Sequence, residues 1–237
     1  MSIEELKIVG ANSRLASLVA LNAPGGHFTL RPTGSGKLPE VLDGMIVIFS
    51  DPPSIENTRS AFIDLLSRIP PNSNTRIVLI SSISAAFPES TIFPSQGPYT
   101  QRKRLAEQIL QSRTDILSVI IRLGNIREFG GWHDIFKNSK AVILPAECKK
   151  IAIGNVDELR QKIVEGASSK YNKTLECYAL QDIEDYFPRV IRVPGLLALY
   201  KNKMSRIALK IISKVLSKFS IYLPSADDLN CFLMDRK

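Results

Sequence analysis

The chain of 237 residues carries 31 Lys and Arg against 23 Asp and Glu, a formal charge of +8, and 44% of it is hydrophobic. That length and apolar fraction fit one domain of ordinary size, or one with a small annex, around a real core; they exclude disordered, collagenous and disulfide-scaffold classes. Cys148, Cys177 and Cys231 are odd in number and widely spaced, so buried thiols in a reducing cytoplasm are expected, with neither a bridge framework nor a bound metal.

The first ten residues, MSIEELKIVG, place acids at 4 and 5 ahead of an apolar strand, which is unlike a signal or transit peptide. No apolar run approaches the ~20 residues of a membrane span. Residues 6–10 predict a buried strand and 13–22 the helix after it. Past the Gly25-Gly26 turn, 27–31 predicts a second strand, and 45–49 (MIVIF) a third, continuous apolar one. Ser54 is placed to cap a helix whose apolar residues are Phe62, Leu65, Leu66 and Ile69. Strand 76–81, a polar proline-bearing loop over 83–98, a helix over 99–111 and strand 116–122 follow. Strands of β-branched residues alternating strictly with helices call for a parallel sheet covered on both faces: an α/β, doubly wound, Rossmann-like fold.

Beyond 123 the rhythm loosens. Short strands are predicted at 141–144 and 150–153, a helix over 156–166, a strand at 175–179 and mostly helix from about 195 to 219. The expected organisation is a dinucleotide-binding core over 1–123 and a reduced, substrate-binding C-terminal lobe over 124–237, the two forming one compact unit.

Two motifs require weighing. GSGK at 34–37 is not a phosphate loop, because Arg31 stands where that motif needs its first Gly and Leu38 where it needs Ser or Thr. The turn after the first strand, GANSRLA, keeps Gly10 of a dinucleotide fingerprint and has Ser13 and Ala16 where glycines would stand; both are small enough for backbone to approach a pyrophosphate. More specific is Tyr99-Thr100-Gln101-Arg102-Lys103. Residues four apart on a helix meet on successive turns, and a cation beside a phenol favours the phenolate, which lets the tyrosine act as a base.

These stretches together resemble the extended short-chain dehydrogenases/reductases, the branch holding nucleotide-sugar epimerases and dehydratases. IVGANSRLA is similar to that family's nucleotide-binding turn, RIVLISSISA to its strand ending in a serine pair, PYTQRKRLAEQIL to its PYxxSKxxAE pattern, and SVIIRLGNIREFGG to its Arg-Pro-Gly-Asn segment. The resemblance implies Tyr99 as catalytic acid/base, Lys103 as its electrostatic partner and a ligand of the nicotinamide ribose, and Ser82 as hydrogen-bond donor to the reacting sugar oxygen. Ser84 is the fallback for that last role, and with Asn125 it would contact substrate. Gly10, Ser13, Arg14 and Leu15 would line the cofactor turn. Arg31, at the end of the second strand where an acid usually holds the ribose hydroxyls, suits a 2′-phosphate, so the implied cofactor is NAD or NADP. The implied activity is NAD(P)-dependent epimerisation of a nucleotide sugar, or a related reduction, of the kind that serves cell-surface polysaccharide synthesis. The alternative is a degenerate member that binds nucleotide or a protein partner without turnover. Departures from the pattern are the two missing glycines, Arg102 and Leu123 in place of Ser and Pro, and too little chain between Arg31 and Met45 for the usual helix and third strand. A homodimer would fit the family habit.

Finally, residues 1–187 hold 21 basic and 20 acidic side chains, whereas 188–226 hold eight basic and no acidic ones. With a balanced body, nucleic acid is not an expected partner. Over 204–219 the apolar residues Met204, Ile207, Ala208, Ile211, Ile212, Val215, Leu216 and Phe219 fall on one helical face and basic residues on another. Three readings are open: a lobe helix packing its apolar face inward, peripheral contact of residues 199–219 with the inner face of a membrane, or a hold on an anionic diphosphate.

Overall fold

The computed structural model describes residues 6–10, 13–19, 24–28, 38–49, 52–86, 98–126, 135, 138–224, 229 and 232–234. In chain order the elements are β1 (Leu6–Val9), α1 (Arg14–Val19), β2 (His27–Phe28), β3 (Met45–Ile48), α2 (Ile55–Ser67), β4 (Arg76–Ser82), α3 (Pro98–Gln111), β5 (Leu117–Leu123), β6 (Asn125–Ile126), β7 (Ala141–Pro145), β8 (Cys148–Gly154), α4 (Val156–Ala167), β9 (Lys173–Cys177), β10 (Ala179–Asp182), β11 (Val190–Val193), α5 (Leu196–Lys201), α6 (Lys203–Ser217), β12 (Ile221–Tyr222) and β13 (Phe232–Met234). They group into two compact units: 1–86, 100–123 and 156–177 form the first, and 87–99, 124–155 and 178–237 the second. The expected division at 123 therefore differs from the observed one, because α4 and β9 return to the first unit to extend and cover its sheet.

The first unit is a six-stranded, all-parallel sheet in the order β2-β1-β3-β4-β5-β9. β1, β3, β4 and β5 read as apolar runs because helices cover both of their faces. On one side α2 and α3 bring Phe62, Leu65, Leu66, Ala106 and Leu110 onto Ile46, Ile48, Ile77, Leu79 and Ile120, all buried; a large apolar side chain fully buried in this way contributes about 1.5–3 kcal/mol. α2 starts where Ser54 caps it, its Oγ accepting from the Asn57 N–H at 3.0 Å. On the other side Gly166 lets α4 come close, since a Cβ there would sit 3.2 Å from Val119 Cγ1. Arg160 of α4 then donates through Nε to Val19 O at 2.8 Å and through Nη2 to Leu18 O at 2.9 Å, satisfying carbonyls at the end of α1.

The chain runs from β1 outward to β2, then crosses back to β3 and builds away through β4, β5 and β9, so strand order reverses between β1 and β3. In open α/β sheets the carboxyl ends of the strands at such a reversal are where ligands bind. The described residues 38–44, between β2 and β3, form no helix or strand, in line with the short spacing in the sequence.

In the second unit β8 pairs antiparallel with β10 and β13 and parallel with β6, while β7 lies between β11 and β12, parallel to both. Its core holds Val142, Leu144, Ile151, Ile153, Phe187, Leu196 and Tyr200, and the Tyr200 hydroxyl donates to Pro224 O at 2.7 Å.

Residues 195–219 are mostly helical, as expected, in two helices: Asn202 takes an extended conformation and caps the second, its Oδ1 accepting from the Met204 N–H at 2.8 Å. Much of the apolar face of 204–219 is exposed, with Met204 at 73%, Ile211 at 62% and Phe219 at 65%, while Leu209 enters the core of the second unit and Leu216 packs against it.

Candidate active site

At the carboxyl end of β1, Gly10 adopts φ 85, a left-handed conformation that a side chain would strain. Its N–H donates to Phe28 O at 2.8 Å and its carbonyl accepts from the Ser13 N–H at 2.9 Å. The fingerprint position that remained glycine is thus the one whose backbone requires it. Ala16 is buried, Leu15 half-buried and Arg14 exposed on α1. Arg31 lies outside the described residues.

β4 ends in Ser81 and Ser82, followed by a short 3₁₀ turn that carries Ser84. The Ser84 hydroxyl donates to Ser82 Oγ at 3.1 Å, and the Ser84 N–H reaches the same oxygen at 3.3 Å. Both hydroxyls are buried and share one hydrogen-bonded turn, so the two candidates form a pair. Alternation along β4 puts Ser81 with Ile77 and Leu79, on the side covered by α2 and α3. Its Oγ is buried without a hydrogen-bond partner among the described residues.

α3 opens with Pro98 in its first turn, where the missing N–H costs nothing. Its buried stripe is Thr100, Lys103, Ala106, Glu107 and Leu110, which is helical spacing interrupted by two charges. Lys103 is 7% exposed, and its Nζ donates to Ile80 O at 3.5 Å, directing the ammonium at the carboxyl end of β4. A lysine stem ordinarily lets its charge reach water, so a buried one is uncommon. One turn earlier on the same helix, Tyr99 is 41% exposed; it groups with the second unit, while Lys103, Ser82 and Ser84 belong to the first.

Glu107, 3% exposed, is explained by Arg122 near the end of β5. The guanidinium donates through Nη2 to Oε2 at 2.7 Å and through Nε to Oε1 at 3.3 Å. This two-point bond ties the helix carrying Lys103 to the adjacent strand. Just beyond, a Cβ on Gly124 would lie 2.7 Å from Tyr178 Cβ and 2.8 Å from Ala152 O, so β8 approaches too closely for any side chain. Asn125 pairs with Ile153, and its Nδ2 donates to Ala152 O at 3.3 Å. The Glu107–Arg122 bond and the need for glycine at 124 were not legible one residue at a time; their signal was that both segments were among those resembling the family.

No family model and no curated protein matches the sequence. Solved structures do. MoeE5 in complex with UDP-glucose and NAD superposes with a TM-score of 0.53 at 11% identity, covering 94% of this chain and 86% of that one. A UDP-N-acetylglucosamine 4-epimerase from Methanobrevibacter ruminantium M1, in complex with UDP-N-acetylmuramic acid, gives 0.53 at 14% identity, over 92% and 84%. TunA, an NAD-dependent NDP-hexosamine 5,6-dehydratase involved in tunicamycin biosynthesis, gives 0.54 at 12% identity, over 93% and 84%. This chain has the fold of nucleotide-sugar epimerases and dehydratases. At 11–14% identity the likeness is one of backbone path.

Burial pushes the thiols of Cys148 and Cys177 up to about 12, which leaves both protonated and inert at neutral pH. Among the described residues no cluster of His, Cys, Asp and Glu could hold a metal ion.

Proposed function

We propose that this chain is an NAD(P)-dependent enzyme of nucleotide-sugar metabolism, an epimerase or a related reductase, with Tyr99 as its acid/base. The observation that carries the reading is Lys103, buried against the carboxyl end of β4 one helical turn after Tyr99. Gly10, turned to positive φ at the reversal of strand order, and the small residues Ser13 and Ala16 beyond it fit a dinucleotide laid over β1. In this reading Gly10, Ser13, Arg14, Leu15 and Lys103 hold the cofactor, and Arg31 meets a 2′-phosphate if the cofactor is NADP. The nicotinamide supplies hydride acceptance and return.

The protein's share is proton handling and orientation. The Tyr99 phenol oxygen takes a proton from a sugar hydroxyl and returns it when the sugar is reduced again. The Lys103 ammonium stabilises the phenolate that this oxygen must be before it takes the proton and is again after returning it. Because Ser84 donates to Ser82 Oγ, the Ser82 hydroxyl keeps its own proton to donate to the reacting sugar oxygen. Asn125 and Ser84 complete the proposed substrate contacts.

A second reading, binding of nucleotide or a protein partner without turnover, is favoured by the turn after β1, where Ser13 and Ala16 replace glycines. Titration calorimetry with NAD(H) and NADP(H), followed by hydride-transfer assays on nucleotide sugars, separates the two. Binding of either cofactor, with Tyr99→Phe lowering turnover by about 10²-fold or more at unchanged cofactor affinity, is expected. Failure of both cofactors to bind at millimolar concentration refutes the enzymatic reading, and full activity in Tyr99→Phe removes that residue from its role.

A further inference from the structure

α6 divides its circumference in three. At about 100° per residue, Leu209, Ser213 and Leu216 face the rest of the second unit, with Leu209 in the core and Ser213 Oγ donating to Leu223 O at 3.1 Å. About 120° round from that sector lie Met204, Ala208, Ile211, Val215 and Phe219, all exposed. A further 120° or so brings Lys210, Lys214 and Lys218, also exposed. An apolar stripe beside a row of one charge sign, on a helix seated in its own body on the third side, is an unusual thing for a water-facing helix to present.

Charge decides what covers it. No acidic residue occurs between 188 and 226, so nothing in the local sequence neutralises the lysine row. A two-fold contact with a second copy would set that patch against itself and bring the lysines together. A surface that is apolar below and negative above satisfies both sectors at once: the stripe sinks to the level of the acyl chains while the lysines reach up to anionic headgroups. Among the described residues no helix is long and apolar enough to cross a membrane, and a helix lying in the plane needs no such length.

We propose that α6, with residues 199–219 as its setting, docks on an anionic lipid surface by lying in the interface. The proposal is independent of the enzymatic reading. It is tested with the full-length protein by co-sedimentation with phosphatidylcholine vesicles and with vesicles containing about 30 mol% phosphatidylglycerol. Pelleting with the anionic vesicles alone, released by about 0.5 M salt, is expected. At roughly fivefold per charge, Lys210→Gln/Lys214→Gln/Lys218→Gln should weaken partitioning about 100-fold, and Ile211→Asn/Phe219→Ser should abolish it. All five positions are exposed, so melting temperatures should hold; if the apolar pair fails to fold, the lysine variant decides. Absence of pelleting with anionic vesicles, equal pelleting with neutral ones, or indifference to the lysine variant overturns the proposal. So does a wild-type dimer that fails to bind lipid and is dissociated by Ile211→Asn/Phe219→Ser, which would give the face to a second copy.

Discussion

The bond between Glu107 and Arg122 holds the helix that carries Lys103, and its energetics can be worked from the two burials. The Glu107 side chain is 4% exposed and that of Arg122 25%. Removing the arginine leaves a carboxylate with almost no access to water, so Arg122→Met should cost about 3–5 kcal/mol, the usual penalty for stranding a buried charge. Removing the acid leaves a guanidinium that already touches solvent, so Glu107→Gln should cost less, about 1–2 kcal/mol. The double variant Glu107→Leu/Arg122→Met strands neither group, and its cost should fall below that of Arg122→Met alone, because apolar replacement of a buried pair is often close to neutral. Urea unfolding followed by circular dichroism reads all three. With a slope of about 2 kcal/mol per molar, Arg122→Met should move the midpoint down by 1.5 M or more (~3 kcal/mol divided by the slope). If Arg122→Met costs under about 1 kcal/mol, or the double variant costs the sum of the singles, the pair is not a desolvated unit and the reasoning is wrong.

Other outcomes follow from the same structure. Cys148 and Cys177 have folded pKa values of about 12 against 9.0 for a free thiol; the folded state therefore keeps protons that the unfolded state loses, and stability should fall between pH 9 and 12 by up to ~1.4 kcal/mol per pH unit per thiol. Replacing both by alanine should flatten that alkaline limb in denaturation measured across pH, and an unchanged slope would refute the assignment. In the folded protein at pH 8 neither thiol should react with a disulfide reagent on the timescale of an unfolded control. Gly124→Ala should destabilise by about 1–3 kcal/mol, because its methyl meets the backbone oxygen of Ala152 at 2.8 Å; unchanged melting would show that β8 can yield. Glu184 is held below the ordinary carboxylate range by its hydrogen bond to Arg192, so its contribution should be present at neutral pH and lost as pH falls through its folded pKa, a loss that Arg192→Met should remove from the acid limb.

What the sequence revealed and what it hid divides along physical lines. The parallel sheet was legible because strands covered on both faces have nothing polar to alternate, which is why 45–49, 76–81 and 116–122 read as apolar runs. Ser54 was legible as a cap because the signal is local. β11, β12 and β13 were not: VIRV is half-buried throughout, and the other two span two and three residues, too short to show a period. The break at Asn202 carries neither Gly nor Pro, and Asn there acts only through its cap. In α6 the spacing correctly gave an apolar face but could not give its cover, since amphipathicity records which residues share a side and is silent on what meets them. The Glu107–Arg122 bond joins residues 15 apart in the chain, and no local pattern announces a pairing of that range.

The same distinction bears on the proposed site. α3 buries two charged residues on one stripe, and each burial has to be offset by something. For Glu107 the structure supplies the reason in full: a two-point bond to Arg122 that braces helix against strand. Lys103 points instead to the carboxyl end of β4, near the serine pair. An apolar residue there would continue the stripe formed by Ala106 and Leu110 and would pack the same helix at less cost. The two burials thus differ in kind: Glu107 meets a guanidinium, whereas Lys103 directs its ammonium at a backbone carbonyl of β4, the position from which, in the proposed reading, it would stabilise a Tyr99 phenolate.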